Sequence, residues 1–195
     1  MGLLNFEEQL VFYGQYHNNP WNRVVHIIFV PLLFWSFMVF VATLPVLMFL
    51  DQTPFNFSFA VTFLYIFYYI LLEPVAGAVY APFLLTLTYS ANVFAIKTSY
   101  DWKVPMGIQV LGWSCQILSH IFIEHRSPAF IDNAFQALLL SPLFVFMELL
   151  FVLGYRPALQ KRIHEKTKAA ISTWKLRCER KLSATSPTER VKKED

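Results

Sequence analysis

HNNPWNRVVHIIFVPLLFWSFMVFVATLPVLMFL, residues 17–50, holds a helix stop, a helix restart and then a long run without a charge. Asn18 and Asn19 are stop and cap residues, and Pro20 suits the first turn of a following helix, where its missing N–H is no loss. Past Arg23 no Asp, Glu, Lys or Arg occurs until Asp51. Such a run exceeds the ~20 residues that cross about 30 Å of hydrocarbon as helix, so residues 24–50 predict a transmembrane span.

Working outward, residues 54–72, 75–96 and 104–123 are equally free of charge and predict three more spans. A fifth apolar stretch, 129–153, carries Asp132, Pro142 and Glu148. An ionised carboxylate at mid-bilayer costs ~2.5–3.5 kcal/mol on insertion scales. This segment is therefore read as re-entrant or interfacial, with a fifth crossing as the alternative. The fold class that follows is an all-α integral membrane protein with four transmembrane helices and one further hydrophobic segment. A composition of 56% hydrophobic and 15% charged residues agrees, being well outside the balance of a soluble domain.

Charge divides the 195-residue chain in two. Residues 1–155 carry four Lys or Arg against eight Asp or Glu, and residues 156–195 carry twelve against five, so a body of −4 bears a tail of +7. The reading is a membrane-embedded catalytic domain over 1–155 and a basic, amphipathic, partly disordered cytosolic tail over 156–195. Beside so apolar a body, the tail suits the anionic cytoplasmic leaflet rather than nucleic acid. Leu159, Ile163, Ala170 and Trp174 form its apolar stripe, expected to lie on the membrane surface. With an even number of crossings both termini face the cytosol. Lys192 and Lys193 near the end resemble a dilysine endoplasmic-reticulum retrieval signal. The acidic start, MGLLNFEEQL, predicts no cleavable signal peptide, and Phe6 departs from the myristoylation pattern.

Four of the five histidines fall in two pairs, His17 with His26 and His120 with His125, each where a predicted span meets the interface. If the spans alternate in direction, the start of the first and the end of the fourth lie on one side, and the pairs can meet. On an unbroken helix His17 and His26 would point apart; the Asn18-Asn19-Pro20 break lets the first segment fold back. Asn22 and His26 then share a face, while Gln116, His120 and Glu124 stack at successive i, i+4 steps. Histidines converging with a carboxylate are the ligand set of non-heme Fe(II), which needs open positions for O2 and substrate. A single interfacial His is more often a headgroup contact, but the joint placement and the cost of polar groups in lipid favour a site. His125, one position off the stripe, is assigned to the headgroup region and His164 to the solvated tail. Three roles fit Glu148: orienting a ligand, pairing with Arg126, or carrying a proton.

FYGQYHNNPWNRVVHIIFVP, SHIFIEHRSPAF and PLFVFME resemble the small membrane family of fungal 2-hydroxy fatty acid dioxygenases, formerly a domain of unknown function, over about residues 3–157. Ser119 stands where that family often has Gly. The resemblance implies an endoplasmic-reticulum enzyme of phytosphingosine breakdown that uses Fe(II) and O2 to shorten a 2-hydroxy fatty acid by one carbon. Carried over by position, the essential histidines are His17, His26 and His120. By their own placement Glu124 is the carboxylate expected there, as a ligand or beside one, with Asn22, Gln116 and Glu148 around them. A two-iron hydroxylase would need about eight His in clustered boxes, and this chain has five in no cluster. The remaining alternative is a non-enzymatic membrane scaffold or lipid-transport protein.

Overall fold

The computed structural model describes residues 4–44, 46–50, 53–99, 101–128 and 134–185. A short helix α1 (Phe6–Tyr16) is capped by Asn5, whose side chain accepts from the Glu8 N–H, and it stops at His17. α2 (Pro20–Val41) restarts with Asn19 as its cap and Pro20 in its first turn. After a hairpin of β1 (Val46–Leu50) and β2 (Thr53–Asn56) come α3 (Phe57–Leu72), α4 (Pro74–Lys97) and α5 (Lys103–Ser119). The last of these continues as a π-helical turn, His120–Glu124. α6 (Ala134–Val152) and the long α7 (Pro157–Thr185) complete the chain.

The all-α membrane class is borne out. Helices Pro20–Val41, Pro74–Lys97 and Lys103–Glu124 are long and apolar enough to cross a membrane, and Phe57–Leu72 is apolar but shorter. The first run, however, is not helical to residue 50. The N–H groups of Thr43 and Leu44 bond back to the Phe40 and Val41 carbonyls, both at 3.1 Å, and close the helix in a tight turn. The hairpin then pairs Val46 with Asn56 and Leu50 with Thr53, and α3 begins at Phe57 rather than at 54. A continuous apolar run has no period with which to tell helix from strand.

Packing aligns α2 against α5 and α3 against α4. Gly77 permits the second contact: a Cβ there would lie 2.6 Å from the backbone of Tyr69 and Ile70. Buried polar groups between the helices satisfy one another, as hydrocarbon requires. Thr62 and Thr88 share a 2.6 Å hydrogen bond, and Asn92 Nδ2 donates to Ser58 Oγ at 2.7 Å.

Residues 129–133 lie outside the described residues; beyond them Ala137–Val152 and Pro157–Arg180 form a bent pair, a broken span or a re-entrant loop. Glu124, before these segments, bonds the α1–α2 break, and Glu148, near the end of α6, pairs with Arg23 in the first turn of α2. Both sit at the same end of the bundle. Glu148, one of the two carboxylates that spoke against a simple span, meets a cation here, and Asp132 lies outside the described residues.

Nor is the tail simply laid on lipid. α6 and α7 meet at a bend of 119°, and α7 returns over α1. Leu159, Ile163 and Thr167 bury their side chains at i, i+4 spacing, the first two in one cluster with Phe6, Leu10 and Tyr13. Lys166 Nζ pairs with Glu7 at 2.7 Å, a surface contact of small energetic weight beside the apolar seam. Farther on, the Arg126 guanidinium lies between the rings of Tyr16 and Trp174, 4.0 and 4.4 Å from their centroids. The expected stripe therefore covers α1. Ile163→Asp, which removes a buried side chain and puts a carboxylate in its place, should cost ~3 kcal/mol or more of this docking. Hydrogen exchange of α1 should accelerate while α3 and α4 keep their protection; unchanged exchange in α1 would contradict the seam.

Candidate metal centre

His17 ends α1, His26 lies two turns into α2, and His120 opens the π turn of α5. Antiparallel packing of α2 on α5 brings the last two level, and the break at Asn18-Asn19 folds the first between them. The three rings are nearly perpendicular, with centroids 4.3 Å (His17–His26), 4.8 Å (His17–His120) and 5.0 Å (His26–His120) apart. All three are buried, and one nitrogen from each lies within 4.8 Å of the others.

Tautomers follow from the partners. His17 Nδ1 lies 3.0 Å from the Tyr13 carbonyl and His26 Nδ1 lies 2.9 Å from the Asn22 carbonyl. A carbonyl only accepts, so both Nδ1 atoms carry protons and each Nε2 keeps its lone pair. Burial, and then the neighbouring His26 and His120, hold the His17 imidazole well below the usual histidine range, so it is neutral at physiological pH.

Buried polar atoms without partners gather here. Tyr13 Oη, His17 Nε2, Gln116 Nε2 and His120 Nδ1 are four of seven such side-chain atoms among the described residues, and all four residues line one apolar cavity of about 600 Å³. Unsatisfied buried groups cost ~1–3 kcal/mol each, so four around one cavity point to a ligand that satisfies them. A metal fits the donor set: three buried imidazoles, two of them with Nε2 left free by their Nδ1–H bonds, nearly close enough to share an ion. With metal–nitrogen bonds of ~2.1 Å two ligands stand at most about 4.2 Å apart, so the widest separation must close by a few tenths of an ångström.

Glu124 is held elsewhere. Its oxygens accept from the backbone N–H groups of Asn18 (3.0 Å) and Asn19 (2.9 Å) and from Asn22 Nδ2 (3.2 Å). The i, i+4 stripe assumed a regular α-helix, whereas the π turn widens the helix after His120 and turns Glu124 toward the break. Asn22 joins the pieces: it also donates to the Tyr16 carbonyl at 3.2 Å and accepts from Ser119 Oγ at 2.7 Å. Ser119, the departure from the family pattern, thus ties α5 to α2. Glu148 pairs with Arg23 at 2.8 Å rather than with Arg126. Exposed His125 ends the π turn in the left-handed region (φ 54°), and His164 is exposed on α7.

Tyr13 is the lining residue whose role the sequence did not disclose. Its ring stacks on His17 at 3.9 Å. The one available signal was its position four residues before His17, which put both on a single helix face.

Fold and cluster together define a helical membrane protein with a buried three-histidine centre at one end of its bundle. The chain belongs to the Mpo1-like family: residues 3–153 match that family's profile, described as 2-hydroxy-palmitic acid dioxygenase Mpo1-like. It is similar to the 2-hydroxy-palmitic acid dioxygenase MPO1 of Saccharomyces cerevisiae, 33% identical over 159 residues that cover 82% of this chain and 87% of the yeast protein. No solved structure matches.

Removing the Glu124 clamp tests the architecture. Glu124→Ala strands two backbone N–H groups beside His17, and charge-assisted bonds are worth ~1.5–3 kcal/mol each. A fall of at least ~2 kcal/mol in unfolding free energy in detergent is expected, with Glu124→Gln intermediate because an amide can accept through only one of its two ends. Wild-type stability in both variants would contradict the clamp.

Proposed function

We propose that this protein is an Fe(II)-dependent dioxygenase that converts 2-hydroxy fatty acids to fatty acids one carbon shorter, with His17, His26 and His120 as the metal ligands. The observation that carries the reading is the set of unpartnered buried atoms of Tyr13, His17, Gln116 and His120 around one apolar cavity. Apolar walls suit an acyl chain, and the polar atoms suit its head. The family and the yeast relative's name point to the same substrate class.

Each residue has a part. The carbonyls of Tyr13 and Asn22 fix the tautomers of His17 and His26. These three nitrogens would hold the metal and leave positions open to a 2-hydroxy acid and O2. Tyr13 Oη–H and Gln116 Nε2–H donate to the carboxylate and hydroxyl of the substrate, orienting its C1–C2 bond and meeting their own unmet bonds. Glu124 acts at one remove, fixing the Asn18-Asn19 break that places His17. Surrounding side chains such as Phe12, Ile117 and Phe144 exclude water. When bound, Fe(II) supplies the one-electron chemistry that lets O2 react with a closed-shell acid. One O2, taking up four electrons, balances the conversion of a 2-hydroxy acid to the shorter acid, CO2 and water, so no 2-oxoglutarate is needed.

The same reading assigns the protein to fatty acid α-oxidation in phytosphingosine breakdown, at the endoplasmic-reticulum membrane. α1 and α7 pack together at one end of the bundle, and the basic charge of α7 supports a cytosolic position for that end. Lys192 and Lys193 lie outside the described residues.

Purified protein should contain about one iron per chain and consume O2 only with a 2-hydroxy acid. His→Ala at 17, 26 or 120 should abolish bound iron and turnover with insertion preserved, and His164→Ala should change neither. Metal-free wild-type protein that consumes no O2 would instead support the scaffold or lipid-transport reading.

A further inference from the structure

The cavity at the histidines has a continuation that the reaction itself does not require. A second cavity of about 320 Å³ lies farther along α2, α5 and α6, and Trp113, Gln116, Leu138 and Ser141 line both. Trp113 is fixed there by its Nε1–H bond to Gln109 Oε1 at 3.0 Å. Beyond this neck the lining includes Val30, Phe34 and Phe37 of α2 and Tyr65 of α3. Gln109, the polar residue at this depth, is occupied by its bonds to the Leu33 carbonyl (3.0 Å) and Ser36 Oγ (2.9 Å). Apart from Gln116, which belongs to the neck, no lining residue of the second chamber carries an unpartnered buried polar atom among the described residues.

We propose that the two chambers form one slot for the acyl chain of the 2-hydroxy acid, with Ser141 at the neck and Phe37 at the far end setting the chain length accepted. This rests on the dioxygenase reading and goes beyond it by assigning the residues that measure the substrate. His26 and Phe37 are eleven residues apart on α2, as are Gln109 and His120 on the facing α5. At 1.5 Å per residue each wall is about 16 Å long. A ~1.5 Å carbon–carbon bond advances an extended chain by about 1.3 Å, so the slot takes about thirteen carbons beyond the head group. That selects long-chain acids, with C1 and C2 at the histidines and the methyl end near Phe37. Leu138 and Phe37 are both about half exposed, which opens the slot sideways to lipid, where such acids dissolve.

The test compares kcat/KM for 2-hydroxyhexadecanoic and 2-hydroxyoctanoic acid in the full-length, iron-loaded protein. Ser141 bonds only the Ala137 carbonyl of its own helix, so Ser141→Phe fills the neck without stranding a buried donor. It should lower the hexadecanoic-to-octanoic ratio by about tenfold or more, the scale on which apolar pockets discriminate chain length. Phe37→Ala, at an exposed position that tolerates truncation, should raise the preference for an eicosanoic over a hexadecanoic acid. Ratios unchanged in both variants, including equal loss on both acids, overturn the slot. A 2-hydroxyhexadecanoic acid with a terminal diazirine gives a readout without turnover: labelling of residues 34–37 or Tyr65 supports the slot, and labelling elsewhere overturns it. Wild-type protein that labels there yet turns over no acid would sink the dioxygenase reading and leave the slot standing.

Discussion

Two peptide N–H groups at the Asn18-Asn19 break, held by the carboxylate of Glu124, are the constraint on which the rest of the site depends. A helix ending at the membrane surface leaves backbone groups that must find partners. Here the partner is Glu124, more than a hundred residues along the chain, so one side chain holds the break ahead of α2, docks the end of α5 and fixes where His17 turns inward. The π turn belongs to the same solution. By widening the helix between His120 and Glu124 it lets one side chain face the cavity and the other the break. An ordinary helical turn would stack both on one face.

From this junction the protein separates two environments. On one side lie the break, the Arg23–Glu148 pair and α7 with its basic residues. On the other, the cavity walls turn apolar within a turn or two of the histidines. The imidazoles occupy the boundary, buried, with ring nitrogens of His17 and His120 that no protein group satisfies. Filling the same positions with Leu or Phe would be cheaper for folding alone.

Much of this was legible in the sequence because lipid imposes simple rules. Charge-free runs placed α2, α3, α4 and α5. The Asn-Asn-Pro break forecast that His17 and His26 converge, and alternating spans forecast His120 beside them. What stayed hidden depended on contacts that periodicity does not encode. Nothing in the apolar runs on either side of Asp51 told helix from hairpin for Val46–Leu50 and Thr53–Asn56. The stripe through Gln116, His120 and Glu124 presumed regular geometry, so the turn of Glu124 away from the histidines could not be foreseen. The partner of Glu148 proved to be Arg23, nearer in space than Arg126 though far in sequence, and the apolar stripe of the tail found α1.

The iron proposed among the three buried imidazoles can be located directly. Crystals of the iron-loaded protein, with diffraction recorded on both sides of the iron absorption edge, should give one anomalous peak within about 2.5 Å of a nitrogen from each of His17, His26 and His120. A peak elsewhere in the chain, or none in protein that still consumes O2 with a 2-hydroxy acid, would contradict the account.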